Sequence, residues 1–149
     1  MEANDQWQNV LAQVAAMDGE IIPHSYLKEL FNIKPPKFDE YDGVDEFVKA
    51  LELHQFEYLT MTDKLKKDLL ESHKMCLKNV RGEGYTIVMP HEQTTYAYDR
   101  LTNEIKKIFR TTIAIASNVR SVDDYEQRAK DNDLRSKMAL MKQVFNNIK

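Results

Sequence analysis

Leu77-Lys78-Asn79-Val80-Arg81-Gly82-Glu83-Gly84-Tyr85-Thr86-Ile87-Val88 is the stretch on which the fold turns. Its two ends, Met75–Val80 and Gly84–Met89, are rich in β-branched, aromatic and other apolar side chains, as strands require. Between them sit Gly82 and Gly84, which reach the positive-φ conformations of a tight turn without a Cβ penalty. The spacing predicts a β-hairpin closed by Pro90. No other segment of the chain carries this signal.

On either side the pattern changes to helical spacing. Upstream, Trp7, Val10, Leu11 and Val14 fall at i, i+3, i+4 and i+7, one face of an amphipathic helix that Asp18-Gly19 stops. Glu20-Ile21-Ile22 reads as a short extended segment. Pro23 then opens a second helix with Tyr26, Leu27, Leu30 and Phe31, ended by Ile33-Lys34-Pro35-Pro36. Lys37–Gly43 is an acidic loop, with Asp42 or Asp45 as the expected cap of the next helix. Val44, Phe47, Val48 and Leu51 resume helical spacing as far as Leu59. Tyr58-Leu59-Thr60 is poor helix material and Thr60-Met61-Thr62-Asp63 resembles a capping pattern, so a break is expected near Thr60, with a separate helix over 61–74. One unbroken helix is the competing reading.

Downstream, Leu101, Ile105, Ile108, Phe109, Thr112 and Ile115 form one stripe. Leu134, Met138, Met141, Phe145 and Ile148 form another, and Ser117–Asp124 is the turn between them. The expected product is an antiparallel helical hairpin. Tyr96, Ile113, Val119, Leu140 and Val144 lie beside these stripes and leave apolar surface to spare, which suits an oligomer or partner interface.

The 149 residues suffice for a real core; 42% are apolar, 30% charged, and there are 4 Gly, 4 Pro and one Cys. That composition excludes collagen-like, low-complexity and disulfide-stapled classes and favours helix. No window approaches the ~18 apolar residues of a membrane span. MEANDQWQNV lacks the pattern of a signal peptide, so a cytoplasmic location is expected. Charge is segregated: residues 1–60 hold four Lys/Arg against twelve Asp/Glu, and 61–149 hold seventeen against twelve, so −8 and +5 make up the net −3. A basic C-terminal part suits a polyanion.

Helix, short strand, helix, loop, helix and Gly-containing hairpin is the element order of a winged helix-turn-helix. The run Val80-Arg81-Gly82-Glu83-Gly84-Tyr85 resembles the wing of response-regulator output domains of the OmpR/PhoB type. Leu59–Leu69 is similar to their recognition helix, and Met17–Ile22 with Tyr26-Leu27 to their first helix, strand and second helix. The segment 37–58 is longer than that family needs, and about 60 helical residues follow the hairpin. The resemblance implies a mainly α fold: a winged-helix domain at 1–90 followed by a helical hairpin at 91–149. It also implies double-stranded DNA as partner, with the third helix in the major groove and the wing on the adjacent backbone. A short lone chain of this kind also resembles small phage-encoded proteins.

With Leu65 and Leu69 inward, Lys64, Lys67, Glu71 and Lys74 share the outer face by 100° steps. Lys64, Lys67, Lys74, Lys78 and Arg81 are therefore the candidate DNA-binding residues, lysines as point charges on phosphates and Arg81 as the wing's groove-reaching side chain. Asp63, Asp68 and Glu71 on the same helix oppose phosphates. The face lacks the Asn, Gln or Arg that read bases bidentately, which argues against sequence-specific readout. Appended helices at 91–149 imply a homodimer. The alternative is a non-enzymatic interaction module or inhibitor that docks a host or partner protein through the acidic segment 37–57 and the helical hairpin.

Nothing in the sequence points to catalysis, a cofactor or a metal. His24, His54, His73 and His91 lack metal-ligand spacing with one another or with Cys76 and are expected at the surface or its boundary. Asp39–Glu46 is out of register for a calcium loop, and Gly82-Glu83-Gly84 leads into a strand instead of a helix, unlike a phosphate loop.

Overall fold

The computed structural model describes residues 2–148. The chain is mainly helical with one small antiparallel sheet. In order, the elements are α1 (Glu2–Ala15), β1 (Ile21–Pro23), α2 (His24–Leu30), a 3-10 turn (Phe38–Glu40), α3 (Val44–His73), β2 (Leu77–Val80), β3 (Gly84–Ile87), α4 (Gln93–Ser117) and α5 (Tyr125–Ile148). The chain divides into two compact units between Thr94 and Thr95, in the first turn of α4.

The hairpin folds as its residues predict. Leu77 pairs with Ile87 and Val80 with Gly84, and the turn closes when the Glu83 amide donates to the Val80 carbonyl at 3.0 Å. What the hairpin signal does not announce is a third strand. β1 adds antiparallel to β3, pairing Ile21 with Thr86 and Ile22 with Tyr85, so the order across the sheet is β1-β3-β2. Pro23, which has no amide hydrogen to give, lies on this edge strand, where one is tolerated. Gly84 is required by that pairing. A Cβ there would stand 2.0 Å from the Ile22 carbonyl oxygen, far inside van der Waals contact distance.

Helix α3 corrects the expected break. It runs 30 residues, about 45 Å, straight through Thr60. The threonines do not cap a new helix. Thr60 Oγ1 donates to the Phe56 carbonyl at 2.8 Å and Thr62 Oγ1 to the Tyr58 carbonyl at 2.7 Å, so both hydroxyls are satisfied within a continuing helix. Tyr58 and Thr62 are buried, and that burial outweighs the poor local propensity. The N-terminus of α3 is a second correction: its cap is Gly43, with no side-chain hydrogen bond from Asp42 or Asp45. Its C-terminus ends on Lys74 in the left-handed region, and the Met75 amide donates back to the Leu69 carbonyl at 3.2 Å. Asn32 ends α2 in the same way, with the Asn32 and Ile33 amides returning to Glu29 and Lys28.

One core lies under α1, α2, the C-terminal half of α3 and the sheet. Val10, Leu11 and Val14 of α1 meet Leu27 of α2, Tyr58, Leu65 and Leu69 of α3, and Ile22, Leu77, Tyr85 and Ile87 of the strands. Each fully buried aliphatic side chain contributes about 1.5–3 kcal/mol. The N-terminal half of α3 lies outside this core. Phe47 is covered there by the rings of Phe38 and Tyr41, at 5.4 and 6.0 Å, while Val44, Leu53 and Phe56 are exposed.

The second unit is a pair of antiparallel helices, as the two stripes predict. Arg135 Nε of α5 donates to the Ala116 carbonyl near the end of α4 at 2.7 Å, and Phe109 packs on Phe145 at 5.8 Å. Asp124 starts α5 by accepting the Glu126 amide at 3.0 Å. Neither helix contains a buried residue.

Candidate nucleic-acid interface

The candidate cations of the first unit derive from two elements the core holds in place. Leu65 and Leu69 are fully buried, which turns Lys64 and Lys67 of α3 outward. The hairpin turn carries Arg81 at its tip, and β2 carries Lys78 opposite Thr86, both exposed. Among the described residues Lys67 and Arg81 make no ion pair or hydrogen bond, so their charge is open to an anionic partner.

Lys64 is held, not free-swinging. Its ammonium lies 4.4 Å from the centre of the Trp7 ring, a cation–π contact that leaves the charge intact and fixes the stem. Lys74 is the weakest of the five candidates. Its Nζ donates to the Glu71 carbonyl at 3.0 Å, closing the end of α3, so this lysine caps the helix that carries it.

The acidic residues of the same helix are placed unequally. Asp68, which would repel phosphate if it were free, accepts a partly buried hydrogen bond from Trp7 Nε1 of α1 at 2.7 Å. Asp63 is exposed and stands 4.0 Å from Lys66, a weak ion pair at the surface. Glu71 is exposed among the lysines. Trp7 therefore does two jobs at once, engaging one carboxylate and seating one lysine.

Lys66 was missed by helical spacing, because it lies between the inner and outer faces of α3. Its ammonium is 4.9 Å from the Tyr85 ring of β3 and so links the cationic helix to the hairpin. Nothing local in the sequence marks that contact; it depends on the strand pairing that buries Tyr85. Lys28 of α2 is likewise 5.1 Å from the Tyr58 ring.

The histidines lie at the surface or its boundary, as expected: His73 and His91 are exposed, and His24 and His54 are half-buried. His24 Nδ1 shares a 2.6 Å hydrogen bond with the Tyr58 hydroxyl, and its ring meets Tyr85 edge-on at 5.5 Å. Burial raises the ionisation of both tyrosines above the ordinary phenol range, with Asp63 adding to the rise at Tyr85. His54 Nε2 is buried without a partner among the described residues. No cluster of three or more metal-ligating side chains occurs among those residues.

The second unit is also basic. Lys106, Arg110 and Lys142 line an open groove of about 350 Å³ beside Phe109 and Phe145, with no carboxylate in its walls. No described helix is long and apolar enough to cross a membrane. No protein-family model, curated protein or solved structure matches the chain.

Proposed function

We propose that the first unit is a winged helix-turn-helix and that the protein binds double-stranded DNA without catalysing a reaction, in gene regulation or as a replication accessory. The C-terminal half of α3 is the recognition helix and the β2–β3 turn is the wing. The observation that carries this reading is the strand order β1-β3-β2 around the Gly82–Gly84 turn together with α3, on which Lys67, like Arg81 of the turn, is solvent-exposed and unpaired among the described residues while Trp7 engages the carboxylate of Asp68. Lys64, Lys67, Lys78 and Arg81 supply phosphate contacts, and Lys66 stiffens the junction between helix and wing. With lysines dominating the face, affinity is mostly electrostatic and tolerant of sequence.

Fluorescence anisotropy with a labelled duplex at two salt concentrations tests this. Binding should weaken with salt by a slope of roughly −0.9 per phosphate contact. Changing Lys64, Lys67 and Arg81 together to Glu should weaken binding at least tenfold and flatten the slope. Unchanged affinity in that triple variant would remove the assignment.

A second reading, a module that docks a host or partner protein, is favoured by the N-terminal half of α3. That half is acidic, stands outside the core, and exposes Leu53 and Phe56. A stoichiometric partner recovered in the presence of nuclease, and lost on Leu53→Asp with Phe56→Asp, would promote it over DNA binding.

A further inference from the structure

The α4–α5 hairpin has apolar side chains on two sides, and only one of them is used within the chain. Towards α5, the partly covered residues of α4 are Thr102, Ile105, Phe109, Thr112, Ile113 and Ala116; towards α4, those of α5 are Asp131, Arg135, Met138 and Phe145. This inner seam contains no buried residue and includes a carboxylate, a guanidinium and two threonines. It is a thin core for two helices of 25 and 24 residues.

A second set lies beside it. On α4, Leu101, Ile108 and Ile115 recur every seven residues; on α5, Leu134, Met141 and Ile148 do the same. All six are 50–70% exposed. Taking 100° per residue from the inner seam, and allowing for the opposite directions of the two helices, both rows project to one side of the hairpin. Lys106, Arg110 and Lys142 project to the other side. One face of the hairpin is thus aliphatic and the opposite face cationic.

A repeat of seven is the period that keeps a stripe against another helix along its length. Two such rows side by side need a pair of helices as their cover, and a second α4–α5 hairpin presents the same two rows. At roughly 100 Å² of apolar surface per side chain, six from each of two copies cover about 1,200 Å², where specific stable interfaces begin. The face matches itself about a twofold axis, as an isologous contact requires. The geometry points to a homodimer in which the rows Leu101-Ile108-Ile115 and Leu134-Met141-Ile148 of two copies close into a four-helix bundle. This stands independently of DNA binding, and leaves the cationic side of each hairpin facing outward.

Sedimentation or light scattering on the full chain tests it from about 1 to about 100 µM, with heat unfolding at both ends of that range. A mass of twice 17.5 kDa is expected, with a helix-melting temperature that rises with concentration. Ile108→Glu with Met141→Glu should weaken association about 30-fold or more, while Arg110→Glu on the far side should leave it unchanged. Should the Glu pair unfold the hairpin, Ile108→Gln with Met141→Gln keeps helix-forming residues and is read the same way. A wild-type monomer at the highest concentration, a melting temperature independent of concentration, or a dimer indifferent to both double variants would each overturn the proposal, as would a mass above that of a dimer.

Discussion

Residues 2–94 hide thirteen apolar side chains from solvent, whereas α4 and α5, which together hold about as many aliphatic and aromatic residues, hide none. The difference is one of geometry, not composition. In the first unit three helices and a sheet approach a common centre from several directions, so each inward row is covered on every side. Two helices can cover each other along a single line only. Any apolar row away from that line stays exposed until another surface arrives. A chain can therefore carry strong helical periodicity over 93–148 and still leave the stability of that region to an intermolecular contact.

The largest expected effect tests whether this contrast is energetic as well as geometric. Leu69 has no exposed surface, and Leu69→Ala should cost about 2–5 kcal/mol in urea unfolding followed through the sole tryptophan, Trp7. Leu140→Ala, at a site 60% exposed and outside both C-terminal rows, should move that same fluorescence transition by less than about 0.5 kcal/mol. Equal effects would erase the distinction between a region with its own core and one without.

A smaller effect sharpens the picture within the first unit. Gly84→Ala would press a methyl group against the Ile22 carbonyl and should cost about 3 kcal/mol by forcing β1 away from β3. Gly82→Ala, at a φ of +78° with open space around it, should cost only about 1 kcal/mol. Near-equal losses at the two glycines would mean that the third strand adds little to the sheet.

The smallest concerns pH. Tyr58 and Tyr85 keep their protons above the ordinary tyrosine value because burial disfavours the phenolate. Above pH ~10 the unfolded chain releases these protons first, so the native state binds more protons and stability falls as pH rises. The contribution is fully present below the unfolded value and is lost through the raised folded one. Tyr58→Phe should cost about 1 kcal/mol at neutral pH, through the lost hydrogen bond to His24, and should lessen the alkaline decline. An alkaline slope unchanged in Tyr58→Phe would assign the decline elsewhere.

Much of the scaffold was legible. The β2–β3 hairpin was readable because its glycines, β-branched residues and aromatics act over a dozen neighbouring residues. The stripes of α1, α4 and α5 were readable because periodicity is local too. The strand β1 as a sheet partner was not: three residues carry little signal, and the pairing of Ile22 with Tyr85 spans most of the first unit. Continuation of α3 through Thr60 was hidden for a related reason. Local propensity argued for a stop, and the burial of Tyr58 and Thr62 against distant elements decided otherwise. Of the candidate site, the cations on α3 and the hairpin could be named in advance. That Trp7 would take up Asp68 and seat Lys64 could not, because the indole and its partners are about sixty residues apart in sequence.

By itself the sequence determined which segments would coil, where one pair of strands would turn back, and that positive charge would gather after residue 60. These properties depend on side chains a few positions apart. Only the tertiary structure decided which lysines keep their charge free, which carboxylate is withdrawn, and which of two apolar rows on each C-terminal helix is left without cover. Such outcomes depend on which surfaces compete for the same neighbours, and that competition is settled only once the whole chain has packed.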